Sequence, residues 1–204
     1  LANGVGLDTP ESVAHALCAL AGAGYALGEG WPRSGAELMA QLLAGRTNAK
    51  SSRRSDVRFA CAEYERLFAR LPETVRAAVS DRWGAPEDDP FYADGAFHLP
   101  AHTYGNIVIA VQPARGYNID PTATYHDPDL APPHGYLAFY LWLREVFGAH
   151  AVVHFGKHGN LEWLPGKSIA LDATCFPEAA FGPLPHLYPF IVNDPGEGTQ
   201  AKRR

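Results

Sequence analysis

The chain has 204 residues, 47% of them hydrophobic, and a formal net charge of −5, material for one sizeable core or two small ones. The acidic balance argues against a nucleic-acid partner, which usually needs a basic face, and no apolar run approaches the roughly 18 residues of a membrane-spanning helix. Cys18, Cys61 and Cys175 are odd in number and far apart, with no Cys-x2-Cys pair. Neither a disulfide framework nor a zinc ribbon is indicated, and a reducing, cytoplasmic setting fits.

The first eighty residues read as helical. Thr9-Pro10-Glu11 is a helix start, a capping residue followed by proline, with Val13, Leu17 and Leu20 on one face. Ser34 and Glu37 form a capping-box pattern ahead of Leu38, Leu42 and Leu43, and Gly45 stops that helix. Phe59, Tyr64, Leu67 and Phe68 suggest a third helix, and Pro72 opens a fourth with Val75 and Val79. The breaker-rich, acidic segment from Gly84 to Pro90 is the best boundary. Residues 1–83 are therefore expected to form a helix-rich segment of a truncated domain, and residues 84–204 an α/β domain. Both ends look cut, since Leu1 opens directly on a turn-like stretch and Ala201-Lys-Arg-Arg204 stops where a helix could start. A fragment of a longer protein is expected.

Beyond the boundary, Ile107–Val111, Ala151–Phe155 and Leu187–Val192 are short apolar runs that suit buried strands, and Gly135–Phe147 is long enough for a helix. Alternating strands and helices predict an α/β fold with a mainly parallel sheet and flanking helices. In such sheets the functional groups gather after the carboxyl ends of strands. Each run is followed by a polar, glycine-containing loop, at 112–118, 156–163 and 193–198. His154, His158 and Glu162 in the second loop are the sharpest feature, because imidazole and carboxylate together hold a divalent transition metal or exchange protons near neutral pH. Gly156 and Gly159 make a regular helix there unlikely and let backbone approach a ligand closely. Taken singly, His154 is as readily a core histidine and Glu162 a helix-start carboxylate. All three are expected to face one cleft together with Arg115 and Asn193.

A second cluster, Tyr125-His126-Asp127-Pro128-Asp129 with His134, suits either a cation or an ordinary Asp turn, with the turn favoured. Gly166-Lys167-Ser168 looks like the end of a phosphate loop, but Leu161 stands where that motif needs glycine and Pro165 precedes the pair. A nucleotide-binding loop is rejected. Arg115, Lys157 and Lys167 are candidates for meeting ligand carboxylates, with plain surface positions the common alternative for lysine.

The stretch His154-Phe-Gly-Lys-His-Gly-Asn-Leu-Glu-Trp-Leu-Pro-Gly-Lys167 resembles the signature of the large subunits of cobaltochelatase and magnesium chelatase. Gly105–Gly116, Tyr125–Asp129 and Tyr188–Arg204 are similar to further blocks of that family, and Leu1–Pro10 to its cobalt branch, so the resemblance spans nearly the whole chain. Trp163-Leu164 and Asn193-Asp194-Pro-Gly-Glu-Gly also resemble the cobalt branch, while Lys157 departs from the small polar residue usual in relatives.

The resemblance implies ATP-driven insertion of Co2+ into a corrin precursor, hydrogenobyrinic acid a,c-diamide, in cobalamin synthesis. It implies a tetrapyrrole-binding role for this chain, with an AAA+-type ATPase subunit and a second small subunit as partners that use ATP and Mg2+. His154 and His158 would receive the metal, and Glu162 would take protons or share that task. Tyr104, Tyr117, Trp142 and Trp163 are candidates for packing the macrocycle, with core packing as the alternative. Arg115 and Lys167 would meet its carboxylates, and Asn193 would complete the pocket. A magnesium chelatase subunit acting on protoporphyrin, a tetrapyrrole-binding module without chemistry, and a zinc hydrolase remain the rival readings. The last lacks the helical His-Glu-x2-His pattern.

Overall fold

The structure is a computed structural model that describes residues 8–48, 55–116, 119–120, 127–156 and 159–189. Helices α1 (Thr9–Gly22) and α2 (Gly35–Ala44) pack as a pair at the N-terminal end. Asp8, one residue earlier than the predicted cap, accepts the Glu11 N–H at 3.1 Å and leaves Pro10 inside the first turn. Ser34 caps α2 through the Glu37 N–H as expected, but the Glu37 carboxylate accepts from Arg33 N–H instead of closing the box. Glu11 of α1 accepts the Gly35 N–H at 2.7 Å, so one helix supplies an acid to the positive end of the next.

The predicted third helix begins later than its apolar spacing suggests. Phe59 lies in strand β1 (Arg58–Ala60), and the helix proper is α3 (Cys61–Phe68), followed by α4 (Glu73–Trp83) with Pro72 at its N-cap. Strands β2 (Tyr92–Ala93) and β3 (Ala96–His98) form a hairpin through Asp94 and Gly95, whose φ values of 51° and 76° suit a two-residue primed turn. β1 adds to β3, giving an antiparallel sheet in the order β1-β3-β2. β4 (Ala101–Tyr104) and β5 (Ile107–Ala110) make a second antiparallel hairpin, and β6 (Val152–Val153) pairs in parallel with β7 (His186–Leu187).

The architecture is mixed α/β, but among the described residues the expected mainly parallel sheet is not found: two of the three sheets there are antiparallel. The run at Ile107 has a nearer partner than any strand reached across a helix. Ala101–Tyr104 precedes it by a two-residue turn, and a hairpin closes with far less ordering of intervening chain than a βαβ crossover. Its partner was hidden in sequence because Ala-His-Thr-Tyr carries no apolar alternation.

Helix α5 (His134–Leu141) is buried along its whole length and runs on into a π-helical turn at Trp142–Val146, in line with the helix predicted at 135–147. It forms the axis of the main core with Phe59, Tyr64, Phe97, Leu99 and Phe181 around it. That core draws residues from both sides of Gly84–Pro90, from Val57 to Phe181. Helix α6 (Phe176–Phe181) closes it from the C-terminal side. No helix among the described residues is long and apolar enough to cross a membrane.

Candidate active site

The site is assembled from loops after β5 and β6, fastened to α5 by buried polar groups. Tyr136 and Tyr140 of α5 are one turn apart and share a face. Tyr136 donates to Asn160 Oδ1 at 2.9 Å, and Gln112 Nε2 donates to the Tyr140 hydroxyl at 2.7 Å. Asn160 then joins the two loops, donating from Nδ2 to the Pro113 carbonyl and from its backbone N–H to Gln112 Oε1, each at 3.0 Å. Burial pushes the Tyr136 phenol well above its ordinary range, so it stays a neutral donor. Asn160 and Tyr136 carry no distinguishing pattern in the sequence, where one is an asparagine inside a glycine loop and the other a tyrosine in an apolar helix.

The clamp sets the position of Gly159 and of the 3-10 turn Leu161–Trp163 that carries Glu162. His154 follows β6 and extends the parallel pairing, its N–H donating to the Leu187 carbonyl at 2.8 Å. A Cβ at Gly159 would lie 2.5 Å from His154 Cε1 and 3.1 Å from both His154 Nδ1 and Glu162 Oε2. The imidazole nitrogen and the carboxylate oxygen therefore converge on one small volume that only glycine leaves open. Glu162 is nearly buried at 5% exposure, while His154 is half-buried. Tyr188, just beyond β7, donates to Glu162 Oε1 at 3.3 Å and accepts the Gly159 N–H at 2.5 Å. His158, the third member of the expected trio, lies outside the described residues, as do Lys157, Tyr117, His126 and Asn193.

The remaining candidates take other places. Arg115 is 0% exposed, and its guanidinium donates to the carbonyls of Trp163 and Asp127. It braces the Glu162 turn from behind and does not present itself on an open face. Lys167 is exposed and pairs with Asp172 at 2.5 Å. The hydrogen bond from Lys167 holds that carboxyl well below the usual carboxylate range, and the same bond raises the lysine. Trp163 is half-buried beside Glu162, whereas Tyr104 and Trp142 are packed in cores.

The second cluster divides. Asp127 accepts the Asp129 N–H at 2.9 Å, an Asp turn. His134 lies apart from it, hydrogen-bonded by Nδ1 to the Tyr64 hydroxyl at 2.6 Å and by Nε2 to the Gly84 carbonyl at 3.1 Å. Because a carbonyl only accepts, Nε2 carries the proton and Tyr64 donates to Nδ1.

The whole chain, residues 1–204, matches the family described as CobN/Magnesium Chelatase. It is 60% identical over 205 residues to the aerobic cobaltochelatase subunit CobN of a Sinorhizobium species, and 54% identical over 209 residues to that of Pseudomonas aeruginosa. Each alignment covers 100% of this chain and 16% of the relative. A magnesium-chelatase subunit of Rhodobacter capsulatus is 35% identical over 199 residues, 97% of this chain and 16% of its own length. Among solved structures, the catalytic subunit of cobaltochelatase from Mycobacterium tuberculosis superposes with a TM-score of 0.84 at 47% identity, covering 98% of this chain and 18% of that one. The chain thus spans about a sixth of the length of the curated relatives it matches. It belongs to the CobN/magnesium chelatase family.

Proposed function

We propose that the chain is the part of a cobaltochelatase large subunit in which metal meets macrocycle, and that the parent inserts Co2+ into hydrogenobyrinic acid a,c-diamide in the cytoplasm. The observation that carries this reading is the convergence of His154 Nδ1 and Glu162 Oε2 beside Gly159. Insertion must strip water from the cation and displace the inner N–H proton of the ring as its four nitrogens close on the metal. A neutral imidazole supplies a ligand for a divalent transition metal. A carboxylate beside it either ligates or accepts a ring proton. His158, two residues past Gly156, is proposed as a second imidazole for the same cation. Trp163, Tyr117 and Asn193 are proposed to line the macrocycle pocket, with Lys167 at its carboxylate rim and Arg115 supporting the wall.

ATP and Mg2+ are used, in this proposal, by an AAA+-type ATPase partner and a second small subunit. Leu161 in place of a phosphate-loop glycine fits that division. Higher identity to the cobalt than to the magnesium relatives supports the choice of metal.

Glu162→Gln in the full-length subunit keeps size and removes charge and basicity. With partner subunits, ATP and Co2+ present, insertion should fall by about 10²–10⁴-fold while macrocycle affinity, read by fluorescence quenching, stays near wild type. Unimpaired insertion would refute the catalytic reading of Glu162.

A further inference from the structure

Tyr188 has no place in the trio, yet it touches every described part of it. The parallel register aligns Val152 with His186 and Val153 with Leu187, so the next pair is His154 and Tyr188. Their rings lie 4.4 Å apart at 40°, and the Tyr188 ring stacks on His186 at 5.5 Å and 23°. The phenolic oxygen reaches across to accept the Gly159 N–H and donate to Glu162 Oε1.

The geometry matters because Glu162 sits on a three-residue 3-10 turn, too short to orient a side chain by itself. A directional hydrogen bond to one oxygen sets the rotation of a carboxylate on such a turn. The Gly159 N–H occupies one side of the Tyr188 oxygen, which directs the O–H toward Oε1. Tyr188 holds Oε1, and Oε2 lies on the side of the volume shared with His154 Nδ1. We propose that Tyr188 is a positioning residue: it fixes the rotation of the Glu162 carboxylate and the place of the Gly159 loop, and so presents Oε2 to the reacting centre. This rests on the reading of Glu162 given above. Groups that orient ligating or proton-accepting side chains typically contribute 10–100-fold to metal affinity or activity.

Tyr188→Phe keeps the ring against His154 and His186 and removes only the hydroxyl. In the full-length subunit with its partners, the kcat of cobalt insertion should drop by about 10–100-fold with KM for the macrocycle unchanged. In a Glu162→Gln background the same substitution should cost no more than about twofold, because the group it orients is already disabled. Wild-type kcat in Tyr188→Phe, a raised KM with unchanged kcat, or a full loss repeated in the Glu162→Gln background would each overturn the assignment. A wild-type subunit that inserts no cobalt would instead refute the proposed function. Electron cryomicroscopy of the variant then decides the positioning by itself: a rotated Glu162 carboxylate supports it and an unmoved one overturns it.

Discussion

Two regions of this molecule are held by different physics. Around α5, side chains such as Tyr64, Phe97, Leu99 and Leu137 are at 0% exposure, and the structure is secured by apolar packing and edge-on aromatic contacts. Around His154 and Glu162, secondary structure shrinks to two-residue strands and a 3-10 turn, and position is set by hydrogen bonds radiating from Asn160, Arg115 and Tyr188. Packing is tolerant of small shifts because it is non-directional, whereas a hydrogen bond weakens steeply with angle. The proposed site, with a nitrogen and an oxygen offered to one point, is better fixed by the second means, provided the first supplies a rigid base.

The contrast predicts where stability and activity part company. The largest effect on folding is expected at Phe97, which packs edge-on to Tyr64 and Tyr92. Phe97→Ala should cost about 3–5 kcal/mol in urea denaturation of the 204-residue chain. A cost below about 1 kcal/mol would mean that the α5 core does not hold the fold.

Asn160→Ala should cost less, about 1–3 kcal/mol, by stranding the Tyr136 hydroxyl and the Pro113 carbonyl. Its effect on the proposed cobalt insertion by the full-length subunit should be the greater one, at least about tenfold at a temperature where the variant is fully folded. Loss of activity only in proportion to unfolded protein would erase the distinction between the two regions.

The smallest effect is a pH dependence seated in the core. Burial lowers the pKa of His134 below the unfolded value of about 6.5. Between the two values the unfolded chain binds the extra proton, so stability is fully present above about pH 6.5 and declines as pH falls through the folded pKa. His98 is lowered in the same direction, again first by burial. Asp89, raised chiefly by burial, acts with opposite sign, its window starting at the unfolded carboxylate value and stability falling as pH rises. One proton bounds the His134 slope at about 1.4 kcal/mol per pH unit. The fall in denaturation free energy from about pH 7.5 to about pH 5.5 should therefore shrink in His134→Asn, and an identical fall in both proteins would reject it.

By itself the sequence determined the family, the helices opened by Ser34 and Pro72, the long helix after Gly135, and the association of His154 and Glu162 with a glycine loop. These are local statements: a cap, a breaker or a run of apolar residues acts on its own neighbours. Sheet pairing was decided by the tertiary structure, because the same apolar run at Ile107 can pair with a strand before or after it, and the cheaper hairpin won. The supporting residues were decided there too. Arg115 reads in sequence as a cation for ligand carboxylates, yet in the fold it binds two carbonyls out of solvent. Tyr188 reads as one more aromatic, and becomes a contact of His154, Gly159 and Glu162 only when β7 aligns beside β6. Hydrogen bonds across 26 to 48 residues of chain leave no periodic trace in the sequence, since nothing in spacing or composition records which distant group a polar side chain will meet.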